Sequence, residues 1–208
     1  MGRILLLRHG ETDWNRADRI QGWRDISLND RGRQQARAAA QFLADQYPDL
    51  DRIIASDLPR TAETAEAVVS VPAFEGIDSE YDARWRERGF GIYEGQRGDR
   101  FFEENPEFAV IDGHKDAKRN VPEDGESYVQ FRERVLDGLS ELRNIDHTIL
   151  LVTHSGVIRT VIAAIEDIGI DRALLDYDID NGSITEVVAE DDVRLGAVNR
   201  ADYLSPSQ

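Results

Sequence analysis

Two histidines, two arginines and one glutamate carry most of the chemistry this sequence could perform. His9 stands between Arg8 and Gly10, His154 precedes Ser155-Gly156, Arg60 follows Pro59, and Glu87 lies in the run Arg86-Glu87-Arg88-Gly89-Phe90-Gly91. Arginine forks match phosphate oxygens, and a neutral imidazole attacks phosphorus if the equatorial oxygens of the transferring group are neutralised. Arg8, Arg60 and His154 would supply that neutralisation without a metal. Passing the phosphoryl group to histidine and then to water also requires a proton donor for the leaving oxygen, which can later act as base. A carboxylate suits that role; Glu87 is the candidate and Glu94 the competitor. Cysteine is absent, which removes thiolate nucleophiles, disulfides and Cys-bound metals. No HExxH pairing or comparable ligand spacing occurs, so neither a metal nor another cofactor is expected. His114 and His147 read as surface residues, and Trp14, Trp23 and Trp85 as packing or cap residues.

The elements needed to bring these residues together are legible in the hydrophobic pattern. Ile4 to Leu7 and Thr148 to Val152 are continuous apolar runs, as in strands buried on both faces, and Arg52 to Ser56 is a shorter one. Asn29 caps a helix predicted to end at Tyr47 before Pro48, and Asp57 is placed to cap a second that runs to about Val69. Further helices are predicted over 126–143 and from Gly156 through Ala164, and strands over Ser183 to Ala189 and Val193 to Val198. Residues 74–126 lack a long period and are rich in glycine, so loops and short helices are expected there. The span 78–126 reads as a cap within a single domain of 1–208. The order is that of an α/β fold with a mostly parallel sheet. Ligands of such sheets sit beyond the carboxyl ends of the strands, which is where Arg8-His9, Ser56 with Arg60, and His154 would meet.

The composition bears on partners. With 25 basic and 41 acidic residues the chain carries −16, an unfavourable field for nucleic acid. Lys115 and Lys118 are the only lysines; the rest of the positive charge is arginine. This balance resembles proteins of salt-accumulating organisms, and a halophilic source is expected. No run approaches the roughly 18 apolar residues of a membrane span, and Met1 to Leu7 is too short for a signal peptide, so a cytoplasmic location without membrane partners is expected. A homodimer is compatible with a domain of this size. Arg84, Arg86, Arg88, Arg97 and Arg100 could hold an anionic or polyhydroxylated molecule against the cap, or simply pair with solvated carboxylates.

Six collinear segments resemble the histidine phosphatase superfamily, also called the phosphoglycerate mutase-like family. They are LLLRHGETDWN from Leu5, RIQGWRDISLNDRGRQQA from Arg19, SDLPRTAETA from Ser56, RERGFGIYEG from Arg86, PEDGESYVQFRERV from Pro122 and LLVTHSGVIR from Leu150. The resemblance implies a three-layer α/β/α sandwich with a small cap insertion. It implies that His9 is phosphorylated during turnover, that Arg8, Arg60 and His154 form the phosphate pocket, and that Glu87 is the proton donor. Asn15 matches a phosphate-contacting asparagine, and Gln21 and Gly22 fall where related enzymes touch substrate; Thr12, Ser155 and Glu11 are further candidate contacts. The segment ERGFGIYEG departs from the ERHYG type of the cofactor-dependent mutases, and the chain lacks their longer insertion. A metal-independent phosphatase of small phosphate monoesters is therefore expected, nearest the broad-specificity and α-ribazole-phosphate branch. The alternatives are a 2,3-bisphosphoglycerate-dependent phosphoglycerate mutase and a non-catalytic phospho-ligand sensor.

Overall fold

A computed structural model describes residues 2–111, 116–142, 146–189 and 193–204 of the chain; His114 lies outside them. In chain order the elements are β1 (Gly2–Arg8), α1 (Asp13–Arg16), α2 (Asp30–Gln46), β2 (Leu50–Ala55), α3 (Pro59–Val69), β3 (Ser79–Tyr81), α4 (Gly98–Glu104), α5 (Tyr128–Leu142), β4 (Thr148–Thr153), α6 (Ser155–Ile165), α7 (Ile170–Asp176), β5 (Ile184–Ala189) and β6 (Val193–Leu195). The strands form one sheet in the order β3-β2-β4-β1-β5-β6. β3, β2, β4 and β1 run parallel, whereas β5 and β6 join antiparallel. No described helix is long and apolar enough to cross a membrane.

Alternation along the strands divides the core into two layers. Ile4, Leu6, Ile149 and Leu151 face α5, α6 and α7, packing on Phe131, Val135, Val157 and Val161. Leu5, Leu7, Leu150 and Val152 face α2 and α3, against Ala39, Leu43, Ala65 and Val68. Both faces of the central strands are therefore dry, which explains their unbroken apolar runs. Truncating one of these leucines to alanine would cost about 2–5 kcal/mol. The element order predicts the α/β class and the mostly parallel sheet, and the layering is the α/β/α sandwich that the family resemblance implies.

Local chemistry sets most boundaries. The Asn29 side chain accepts from the Gly32 amide at the start of α2, and the helix stops at Tyr47 before Pro48. The expected cap of α3 is not found. Leu58 occupies the N-cap without a side-chain hydrogen bond and Pro59 opens the helix, while the Asp57 carboxylate is bound by Arg86 at 2.6 Å. Part of the span read as cap belongs to the sandwich: Ser79–Tyr81 is an edge strand beside β2, and Trp85 is 1% exposed in the core under α5. A three-residue strand with mixed burial leaves no period in the sequence. In the remainder Phe101 and Phe108, flanked by Phe90 and Tyr93, form a small core together with Ile20 of the loop after α1.

Candidate active site

The carboxyl ends of β1, β2 and β4 open on a cavity of about 190 Å³. Of the residues predicted from sequence, Arg8, His9, Asn15, Gln21, Gly22, Arg60, Glu87, His154 and Ser155 line it. Thr12 does not. It is fully buried behind the wall, its backbone amide and hydroxyl meeting the Asn15 Oδ1 and its hydroxyl lying 3.0 Å from the Gln21 amide oxygen. Its role in the structure is to cap α1 and hold two lining residues. Glu11 is likewise outside the lining, its carboxylate accepting from the Asn29 amide at 2.8 Å. His147 is exposed, as expected.

His9 follows the end of β1 and is 3% exposed. Its Nδ1 lies 2.7 Å from the Gly10 carbonyl. A carbonyl only accepts, so Nδ1 carries the hydrogen and Nε2 the lone pair when the ring is neutral. The His154 ring packs against it edge-on, with centroids 5.2 Å apart. His154 Nε2 meets the Ser56 hydroxyl at 3.1 Å, while its Nδ1 is buried without a partner among the described residues. Burial, reinforced by the charges of Arg60 and Arg8, holds both imidazoles well below the ordinary histidine pKa, and so neutral near pH 7.

The two arginines are fixed by carbonyls rather than carboxylates. Arg8 donates to the Ile179 carbonyl at 2.5 Å. Arg60, fully buried, donates to Gly22 and Arg24 carbonyls at 2.8 and 3.1 Å. Desolvation draws both guanidinium pKa values down to about 10, leaving them charged at neutral pH. Glu87 lies near enough to favour both charges, yet among the described residues the hydrogen bonds of the buried Arg60 and half-buried Arg8 all go to neutral carbonyls, which leaves room for an anion to complete the site. The arrangement is that of a positively charged pocket lined by a neutral imidazole whose Nε2 carries a lone pair.

The two glutamates separate by geometry. The Glu87 carboxylate lines the cavity and accepts from the amides of Arg88 at 2.9 Å and Gly156 at 3.0 Å. Its segment is gripped by Arg134 of α5, which donates to the carbonyls of Arg84, Arg86 and Glu87 at 2.8–2.9 Å. The Glu94 carboxylate instead accepts from the amides of Trp23 at 2.9 Å and Phe90 at 3.1 Å, and stands 3.5 Å from Arg24. It pins the turn at Gly22, where φ is +48° and a Cβ would strike that same carboxylate. Glu94 thereby holds the loop whose carbonyls fix Arg60.

Sequence reasoning missed several contributors. Arg19, Ile20, Phe90 and Phe102 also line the cavity. The Asn181 amide bonds the His9 carbonyl at 3.1 Å and Asn15 Oδ1 at 3.3 Å; the turn-forming Asp180-Asn181-Gly182 was the available signal. None of the five cap arginines lines the cavity. Arg84, Arg86 and Arg97 are engaged with Glu141, Asp57 and Asp99, and Arg88 is buried against Phe90. Among the described residues no three His, Asp or Glu side chains gather at metal-ligand spacing.

Known proteins share this sequence and fold. The chain is 34% identical over 179 residues to a glucosyl-3-phosphoglycerate phosphatase of Mycolicibacterium vanbaalenii, covering 82% of this chain and 76% of the relative. It is also 34% identical over 169 residues to a probable phosphoglycerate mutase, GpmB, of Escherichia coli, covering 79% and 75% respectively. The solved structure of Bacillus stearothermophilus YhfR superposes with a TM-score of 0.85 at 27% identity, over 99% of this chain and all of that one. The family profile described as histidine phosphatase superfamily (branch 1) matches residues 4–199. A profile running from β1 to beyond β6 spans the sandwich and its cap alike, and by it this chain belongs to the histidine phosphatase superfamily.

Proposed function

We propose that the chain is a phosphatase that hydrolyses small phosphate monoesters through a covalent phosphohistidine on His9. The observation that carries this reading is the pair of arginines, Arg60 buried and Arg8 half-buried, hydrogen-bonded to carbonyls rather than carboxylates among the described residues, around a neutral histidine whose Nε2 bears the lone pair. The substrate phosphate takes the anion position between Arg8 and Arg60, with His154 and Asn15 as further contacts. His9 Nε2 attacks phosphorus, the P–O bond to the alcohol breaks, and Glu87 gives its proton to the departing oxygen. Water then attacks the phosphohistidine, losing its proton to Glu87, and inorganic phosphate leaves with His9 restored. The retained nucleophile and proton donor favour turnover over a sensor, and the phosphatase relative supports hydrolysis. The mutase named among the relatives keeps phosphoryl transfer between two hydroxyls as the second reading.

Phosphate release from a panel of monoesters, measured in molar KCl with chelator present, tests the proposal. Wild type is expected to turn over, His9→Ala to lose at least a thousandfold, and Glu87→Gln to lose about 10²–10⁴-fold. Activity seen only on metal addition would refute the metal-independent mechanism. Transfer seen only with a bisphosphoglycerate primer would hand the assignment to the mutase.

A further inference from the structure

The catalytic cavity, at about 190 Å³, is smaller than the 300 Å³ or more typical of pockets that enclose a whole drug-sized ligand. It suits a phosphoryl group and the first atoms of its alcohol. The rest of the alcohol must leave on the exposed side of the lining, past Phe102 and past Arg19, which also belongs to a second, open groove of about 880 Å³. Trp14, Trp23, Arg24, Asp25 and Gln96 contribute to the walls of that groove.

We propose that this groove seats the alcohol part of the substrate, and that the alcohol is an uncharged, polyhydroxylated ring such as a sugar or glycoside. The inference rests on the phosphatase reading and adds the substrate class. Charge is the first argument. Arg24 lies 3.5 Å from the buried Glu94 carboxylate, so the groove is left with Arg19 and the exposed Asp25, one charge of each sign. A carboxylated or doubly phosphorylated alcohol would meet no net positive field there, in a chain that carries −16. The phosphate site beside it, with the buried Arg60 and half-buried Arg8, is built the opposite way. The second argument is surface chemistry. Hydroxyl groups both donate and accept, and the groove offers guanidinium donors beside a carboxylate acceptor. The C–H faces of a ring find the aromatic groups of Trp14, Trp23, Phe90 and Phe102 along the same path.

The groove is also joined mechanically to the catalytic arginine. The loop from Gly22 to Arg24 turns its carbonyls toward Arg60 on one side and contributes the side chains of Trp23 and Arg24 to the groove on the other. A ring bound in the groove therefore lies against the loop that orients the phosphate site.

The test compares phosphate release from trehalose 6-phosphate, glycerol 3-phosphate and 3-phosphoglycerate by wild type and Asp25→Ala. In wild type, kcat/KM for the disaccharide phosphate is expected to exceed that for 3-phosphoglycerate about tenfold or more. In Asp25→Ala, the ratio of kcat/KM for the disaccharide phosphate to that for glycerol 3-phosphate is expected to fall at least fivefold, chiefly through KM. His9-dependent hydrolysis in which 3-phosphoglycerate is equal or better, or in which Asp25→Ala leaves the ratio unchanged, overturns this inference and leaves the phosphatase reading standing. No hydrolysis of any ester overturns both.

Discussion

His9 and His154 are neutral in the folded chain because burial and the charges of Arg60 and Arg8 oppose their protonation. In the unfolded chain both recover a pKa near 6.5. As pH falls below about 6.5 the unfolded state therefore binds protons that the native state refuses, and stability is lost; above it, the contribution is fully present. With both histidines engaged the slope reaches about 2.7 kcal/mol per pH unit. Denaturant midpoints between pH 7.5 and 5.5 should show this decline, and His9→Phe should roughly halve the slope. A profile flat over that window would contradict neutral histidines. At this scale the site was largely readable in sequence, because His9 and His154 adjoin the ends of apolar runs and Arg60 opens a helix. Glu87 is preferred to Glu94 in the sequence without a pattern to settle it, since both lie in a segment without a period; what separates them is that Glu87 lines the cavity while Glu94 accepts from the amides of Trp23 and Phe90. Arg19, Phe90 and Phe102 come from loops and the short α4, where no pattern announces which way a side chain points.

Helix α6 shows how an element sets the proposed proton donor. Its Gly156 amide holds one oxygen of Glu87 at 3.0 Å, and a Cβ at Gly156 would lie 2.1 Å from the other. The clash is with the end of a flexible side chain, so in Gly156→Ala the carboxylate moves and the helix remains. Alanine also suits a helix better than glycine by up to about 1 kcal/mol. The expected outcome is a fall in kcat of about 10²–10⁴-fold, as for a lost proton donor, with a melting midpoint within about 2 °C of wild type. Loss of several degrees together with activity would show instead that Gly156 is needed for packing; unchanged kcat would remove Glu87 from the chemistry. Gly10 and Gly32 behave differently, because a Cβ at either would meet backbone at 2.3 or 2.0 Å, and α2 could not approach the loop after β1. Elements with a strong apolar face, α2, α5 and β4, follow from the sequence to within a few residues. β3, α1, α4 and α7 do not, for each is seven residues or fewer and its packing comes from tertiary neighbours. Arg134 was hidden for the same reason: its three carbonyl partners are 47 to 50 positions away.

For the molecule as a whole, the net charge of −16 opposes compaction. Two electrostatic effects compete when salt is added. Arginine pairs such as Arg52–Glu80 and Arg86–Asp57 lie in contact at 2.6 Å and are partly exposed; each contributes about 0–1 kcal/mol, which salt weakens. Repulsion among the excess carboxylates acts over longer distances, and salt weakens it more, since the screening length falls from about 10 Å at 0.1 M to ~3 Å at 1 M. The contact pairs lie within even the shorter length, whereas most like-charge pairs lie beyond it, so relief of repulsion wins. For a chain of this size 1 kcal/mol corresponds to about 2–4 °C. Calorimetry between about 0.1 and 2 M KCl should find the midpoint rising by about 5 °C or more, with most of the gain below 1 M, where screening is still changing. Exposed Glu103, Glu104 and Glu107 provide the control. Replacing all three with lysine shifts the charge by two units at each position, and should raise the low-salt midpoint and flatten its rise with KCl. If the variant kept the wild-type slope, the rise would come from a general salting-out of apolar surface, and the acidic composition would have to be explained by solubility alone.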